Sequence, residues 1–504
     1  MKNISLLYHN EISYTSCEGD SLFSDLNINH IINAVTEGYE EYDLKELYTK
    51  RPDSDAGYRL AVAYDLWDNE IREIVEMFQI NLNKAKRYLS IAGNIRPGPV
   101  KGKWKLDAAI EYIQAITTLS GLADKAVTSE GLKRFLSWLQ SYTQMEEFIR
   151  LRKLSLPLKE QADSISYALK LDFVNNTLCW SDDTFADDIC TVLTTIFDRY
   201  DLRHVNSEIT AFADIHMNTL EEKILAILLR EHPNLLALLT SFDAQIGSVI
   251  HENIYQFERE SLFFISYINF AKRLEDKGFP FAFPCYTSQR LHIAGGYDAS
   301  LALIRGNASL VVKNDFEILD GESSFLLTGP NQGGKTTFSR MLGQVLFFSS
   351  LGLPVPCEKA DICWTNGLKT HFNIEENPGG DTGRLKEELM RLGQILNGTA
   401  EKSVVILNEL FSSTTTYDGL DMGKHILRLF REKGCICLYI THLYELANEE
   451  GAISLIAEVS GNKPTFKITR NPTTGNAFAK RLLAKHRLCA GDIKERTHAA
   501  FAAI

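Results

Sequence analysis

The sequence has little that would take a chain out of a reducing aqueous compartment. No apolar run reaches membrane-spanning length: the most apolar helical stretch, ILAILLREHPNLLALL, is broken by charges and by Pro233. The N-terminus, MKNISLLYHNEISY, lacks the apolar centre of a signal peptide. The 9 cysteines are scattered, and the close pair Cys435 and Cys437 lies in CICLYIT, which reads as a strand, so neither zinc spacing nor a disulfide framework is present. A cytoplasmic protein with free thiols and no membrane contact is expected. Basic charge is also short: 53 Lys and Arg stand against 65 Asp and Glu, for a net charge of -12, which excludes a chain that coats nucleic acid indiscriminately. Any DNA contact is local. Between Lys463 and Arg496 the balance reverses, with 9 basic residues against Asp492 and Glu495. That stretch reads as a solvated helical face, with a nucleic-acid patch as the alternative.

What is present is ample core material. At 504 residues and 45% apolar content, the chain supports two to four domains. Residues 1–285 are dominated by helical spacing, as in Leu106, Ile110 and Ile113, or Leu220, Ile224 and Leu228. The longest candidate runs, about 206–244 and 249–277, suggest long antiparallel helices, either levers or members of an ordinary bundle. RPGPVKGK at 96–103 and GFPFAFP at 278–284 break the pattern, and the second marks the principal boundary. From 286 to 504, β-type runs (LHIAG, SLVV, SFLLT, SVVILNE, CICLYIT) alternate with helices, which predicts a sheet layered with helices. The expected fold class is thus α followed by α/β.

The strongest motif is GPNQGGKT, Gly329 to Thr336, which satisfies G-x-x-x-x-G-K-[ST] at every position. An apolar strand enters it and an apolar helix leaves it, the arrangement that aims helical N–H groups at a polyphosphate. Pro330, Asn331, Gln332, Gly333 and Gly334 supply a backbone that curls around phosphate oxygens, followed by Thr337. Lys335 is placed to reach the β- and γ-phosphates of ATP, and the Thr336 hydroxyl to bind Mg²⁺. The second strand ends in Asn408-Glu409, where a carboxylate is expected at the metal. Asn408 offers only a neutral oxygen, so weak metal binding and slow turnover are expected. Glu409 remains to orient water. Thr441-His442, at the end of a third strand, reads as a γ-phosphate sensor.

Together these residues resemble the MutS mismatch-repair ATPase family. The resemblance is carried by FLLTGPNQGGKTTFSRMLGQ, LGLPVPCEKADI, VVILNELFSSTTTYDGLDMG and YITHLYEL, and is strongest from 310 to 450. It extends to LHIAGGYDASLALIRGNASLVVKNDFEI, which places Asn314 near the adenine, and to EEYDLKELYTKRPDSDAGYRLAVAYDL, similar to the opening of the family's core. The tail from Lys463 to Arg496 resembles its last strands and helical dimerisation region, about 475–504. The resemblance implies a helical core and lever domain at 1–285, an ABC-type P-loop ATPase domain at 286–504, a homodimer, DNA as ligand and a possible repair-protein partner. It also implies catalytic roles for Lys335, Glu409 and His442, and Mg²⁺ held by Thr336, Asn408 and Glu409.

Two departures qualify it. The helix that senses the partner's γ-phosphate normally opens with Ser, whereas GGDTGRLKEELMRLGQIL places Thr382 or Gly383 there, with Glu388 as the helix acid. The family's mismatch-reading domain is also expected to be missing. No Phe-x-Glu wedge occurs in the N-terminal half, and Phe430-Arg431-Glu432 reads as ordinary helix packing. The leading expectation is therefore a DNA-binding ATPase that does not read mismatches directly. The alternatives are a slow or non-hydrolysing ATP-gated scaffold acting on a protein partner and, more remotely, another ABC-type ATPase.

Overall fold

The computed structural model describes residues 4–9, 14–16, 20–52, 55–165, 168–172, 177–181, 225, 230–288, 290–363, 365–372, 384–411, 414–460 and 463–471. In chain order the first half contains β1 (Tyr14–Ser16), α1 (Asp20–Asp25), α2 (Ile28–Thr36), α3 (Leu44–Thr49), β2 (Lys50–Pro52), α4 (Ala56–Trp67), α5 (Asn69–Gly93), α6 (Pro99–Ser120), α7 (Glu130–Thr143) and α8 (Glu146–Asp163). A hairpin of β3 (Ala168–Asp172) and β4 (Thr177–Ser181) follows, then α9 (Pro233–Gln245) and α10 (Glu252–Glu275).

Local chemistry starts these helices where they start. Asp68 caps α5 by accepting the N–H groups of Glu70 and Ile71. The face Ile71, Val75, Phe78, Leu82 and Ala85 is buried at spacings of three and four. Pro99 opens α6, where its missing N–H leaves no donor unsatisfied. The expected helix over 249–277 is observed as α10. The expected run over 206–244 is not continuous: residues before 230 lie largely outside the described part, and His232 leaves the helical region at φ -117 and ψ 70 before α9 begins at Pro233. The proline ring disfavours helical backbone in the residue that precedes it.

The second half contains β5 (Cys285–Thr287), β6 (Leu291–Gly296), α11 (Ala299–Arg305), β7 (Asn314–Ile318), β8 (Ser324–Thr328), α12 (Lys335–Ser350), β9 (Lys359–Cys363) and β10 (Leu368–His371). It continues with α13 (Arg384–Asn397), β11 (Val404–Asn408), α14 (Thr416–Glu432), β12 (Ile436–Ile440), β13 (Ala452–Ser460) and β14 (Lys463–Arg470). A six-stranded sheet has the order β10-β11-β12-β8-β13-β14 and is parallel except at its β13–β14 edge. A four-stranded sheet has the order β5-β9-β6-β7. The central strands β8 and β11 are buried at every residue, as strands covered on both faces must be. On one face, Leu392 and Ile395 of α13 and Leu427 and Phe430 of α14 pack with Val405, Leu407 and Tyr439. The Phe325 and Phe338 rings both meet Phe316.

The chain forms two compact units. One comprises Met1–Trp67, Thr128–Gly131 and Arg259–Ile504, the other Asp68–Val127 and Leu132–Glu258. Residue 285, the expected border, therefore lies inside the first unit. The reason is packing from far along the sequence: Arg340 of α12 donates to the Asp25 carbonyl at 3.1 Å, and Gln344 donates to the Leu26 carbonyl at 2.8 Å. In the second unit, Phe135 stacks on Phe257 with centroids 3.8 Å apart, and the Tyr112 and Tyr142 hydroxyls meet at 2.8 Å. Among the described residues no helix is long and apolar enough to cross a membrane.

Candidate nucleotide site

The parallel register brings three chain segments to one edge of the sheet. Asn408 pairs with Ile440, and Ile440 with Leu327, so the ends of β11, β12 and β8 are level. Hydrogen bonding continues one step beyond the strands: Glu409 N–H donates to the Ile440 carbonyl at 2.9 Å, and Thr441 N–H to the Leu327 carbonyl at 3.1 Å. The loop after β8, Glu409 after β11 and His442 after β12 therefore emerge together, at the carboxyl end where α/β sheets bind ligands.

The loop itself is built for an anion. Gly334, the residue before α12, has φ 91, a left-handed conformation that glycine adopts without strain. Gln332 is also left-handed, at φ 61. The first helical amides, those of Lys335, Thr336 and Thr337, have no backbone acceptor and face the helix mouth, where anions are favoured. Lys335 is 4% exposed, and its ammonium donates to the carbonyls of Gly329 and Pro330, both at 3.0 Å. Burial holds its pKa below the usual lysine value, partly offset by the Glu409 carboxylate.

Glu409 and His442 form a pair, with Oε1 and Nε2 2.9 Å apart. The hydrogen bond from His442 holds the Glu409 carboxyl below its usual range; burial opposes this, and the charges of His442 and Lys335 add to it. Asn408 is buried, and its Oδ1 has no hydrogen-bond partner among the described residues. A buried amide oxygen with free lone pairs beside a carboxylate is a hard oxygen donor suited to Mg²⁺. The chemistry of Asn408, Glu409 and the Thr336 hydroxyl, all oxygen donors, fits the ion.

The loop, Lys335 and Glu409 border a cavity of about 430 Å³, and Asn408 and His442 are not among its lining residues. Asn331, Gln332, Gly333, Gly334, Lys335, Thr336, Thr337 and Glu409 line one part of it, and Leu301, Leu310, Val312, Asn314 and Phe466 line another. Gly329 and Pro330 act through the carbonyls that hold Lys335. Asn314 reaches the wall, but both ends of its amide are committed to β14: Nδ2 donates to the Phe466 carbonyl at 3.0 Å, and Oδ1 accepts the Ile468 N–H at 2.8 Å. Its amide thereby holds β14 in place. Phe466 was not anticipated. It has φ 61 where the β13–β14 register shifts, and at 46% exposure its ring offers an aromatic surface at the cavity. The one local signal is an aromatic residue in the otherwise polar strand KPTFKITR.

Thr382 and Gly383 lie outside the described residues, as does the segment 475–504. Glu388 is described: it is buried on α13, and its carboxylate accepts the Phe411 N–H at 3.2 Å.

A family model described as MutS domain V matches residues 325–471. The chain is 34% identical over 153 residues to the DNA mismatch repair protein MSH2 of Arabidopsis thaliana, a match covering 30% of this chain and 16% of that protein. It is 31% identical over 137 residues to the DNA mismatch repair protein MSH2 of Saccharomyces cerevisiae, covering 27% of this chain and 14% of that protein. A similar match, 31% over 137 residues, links it to the DNA mismatch repair protein msh-2 of Neurospora crassa, covering 27% of this chain and 15% of the relative. Each match thus spans about one sixth of the relative's length or less. The matched segment holds the loop at Lys335, the Glu409–His442 pair and Phe466, so this part of the chain is similar to MutS domain V.

Proposed function

We propose that this protein binds and hydrolyses ATP and uses the cycle to close two nucleotide domains on each other in a homodimer, changing its grip on DNA. One observation carries the reading: the Lys335 ammonium, the first residues of α12 and Glu409, itself paired with His442, meet at a single cavity that all but His442 line. In that arrangement the amides and Lys335 bind the phosphates. The Phe466 ring and the apolar wall at Leu310 and Val312 take the base. Thr336, Asn408 and Glu409 hold Mg²⁺, which when bound neutralises phosphate charge. Glu409 orients the attacking water, and His442 fixes Glu409 and registers the γ-phosphate. The helical part before residue 285 acts as core and levers, and residues near 475–504 contribute to dimerisation. The N-terminal half carries no Phe-x-Glu wedge, which supports structure-selective or non-specific DNA binding over direct mismatch reading. A repair protein is a fitting further partner.

Asn408 favours a second reading, an ATP-gated scaffold that turns over slowly or not at all and acts on a protein partner. Phosphate release measured with and without homoduplex, mismatched and branched DNA separates the two, with Glu409→Ala as control. Turnover that is stimulated by DNA and lost in Glu409→Ala supports the motor. Tight ATP binding with no turnover in either protein supports the scaffold, and a clear preference for a single mismatch over homoduplex contradicts the expectation that mismatches are not read directly.

A further inference from the structure

Glu388 is 2% exposed on α13, and its Oε2 accepts the N–H of Phe411, two residues beyond Glu409. The loop it holds is conformationally costly. Glu409 has φ 55 and Phe411 φ 59, so two non-glycine residues within three occupy the left-handed region, which persists only where surrounding contacts over-determine it. Two contacts do so: the Glu409 N–H bond to Ile440 on one side, and the Phe411 N–H bond to Glu388 on the other. Leu410 and Phe411 sit in the apolar cluster with Leu392, Leu407 and Tyr439. An amide there without an acceptor would forfeit its full desolvation energy, and a carboxylate is the strongest neutraliser available.

The helix that carries Glu388 is itself fastened. One turn on, Arg391 donates to the Asp25 carboxylate at 2.5 Å and to the Thr370 carbonyl at 3.2 Å. Thr370 and the Phe372 N–H also donate to Asp25. Glu388 is thus an arm on a bolted helix, with its tip on the loop that presents Glu409.

We propose that Glu388 is a positioning residue for ATP hydrolysis: by fixing the Phe411 amide it keeps Glu409 in the backbone conformation that aims its carboxylate at His442 and the cavity. This rests on the ATPase reading of the cavity. It is tested in the full chain with Glu388→Ala, Glu388→Gln and Ile268→Ala. Ile268 is buried on α10, outside the apolar cluster that holds the loop, so Ile268→Ala controls for lost stability. Three quantities are read: ATP affinity, turnover, and hydrogen–deuterium exchange of the amides at 409–411.

The expected result is a loss of turnover of about ten- to a hundredfold in Glu388→Ala at unchanged ATP affinity, as displaced catalytic groups produce. Faster exchange at 409–411 accompanies it. Glu388→Gln restores both, because its amide oxygen accepts the same bond, and Ile268→Ala moves neither. Unchanged exchange in Glu388→Ala overturns the proposal, as does an equal turnover loss in Ile268→Ala or a fall in ATP affinity as large as the fall in rate. A wild-type chain without ATP affinity overturns the nucleotide reading instead, and the exchange measurement still decides whether Glu388 holds the loop.

Discussion

His371, at the end of β10, is fully buried; its ring makes no well-formed hydrogen bond among the described residues, and the backbone at Phe372 and Glu388 close by offsets only part of the effect of burial. Burial foremost, with the nearby Arg391 charge, holds its pKa down to about 4 from the ordinary 6.5. The folded protein therefore keeps the imidazole neutral in a range where the unfolded chain protonates it. Between about pH 6.5 and 4 the unfolded state binds more protons, so this contribution to stability is complete above the upper value and is lost as pH falls toward the lower one. Across the window the loss is about 3 kcal/mol. Asp25, paired to Arg391 nearby, has its pKa raised chiefly by burial and does not share this direction. Urea midpoints at pH 7 and pH 5 should thus fall more steeply in the wild type than in His371→Leu, and parallel slopes would contradict the assignment. At Asn408 the expectation concerns metal. Asn408→Asp should lower the Mg²⁺ concentration needed for turnover by about tenfold, since a carboxylate replaces a neutral oxygen at a buried donor position. An unchanged Mg²⁺ titration would show that Asn408 does not face the ion. The positions of Lys335, Glu409 and His442 just beyond three strands were legible in the sequence, because each directly follows a strand or loop whose pattern is local. Phe466 and the engagement of Asn314 were not, because both depend on a register shift between β13 and β14.

The same division between local and distant information governs the elements. α5 and α10 could be read from apolar spacing, and β8, β11 and β12 from short apolar runs, because each buries a face set by its own sequence. The attachment of α1 and α2 to α12 could not, since Arg340 and Gln344 bond to backbone more than three hundred positions away. Gly102 marks another such contact. On α6 it faces α9 so closely that an added Cβ would lie 2.0 Å from the Leu239 carbonyl oxygen. Alanine, ordinarily the better helix former, must here push two helices apart, a displacement of backbone and not of a flexible side-chain end. Gly102→Ala should destabilise the protein by about 2 kcal/mol or more, read as a lower denaturant midpoint. A neutral or stabilising effect would mean that helix propensity outweighs the contact.

At the scale of the whole molecule, ATP is the proposed reagent that joins two chains. Tyr417, 81% exposed at the start of α14, stands on the surface shortly after the loop that carries Glu409. Sedimentation of Glu409→Ala should accordingly show more dimer with Mg²⁺-ATP than with ADP, and an ATP-independent distribution would argue against nucleotide-driven closure. Everything at this scale depends on phosphates seating at the mouth of α12. The most direct measurement is calorimetric titration of Mg²⁺-ATP and ADP into the full chain and into Lys335→Ala. Saturable binding by the wild type, weakened at least about tenfold in the variant, is the predicted result, since a charged hydrogen-bond partner at a phosphate contributes about 1.5 kcal/mol or more. Absence of binding to the wild type, or equal binding by both proteins, would contradict it.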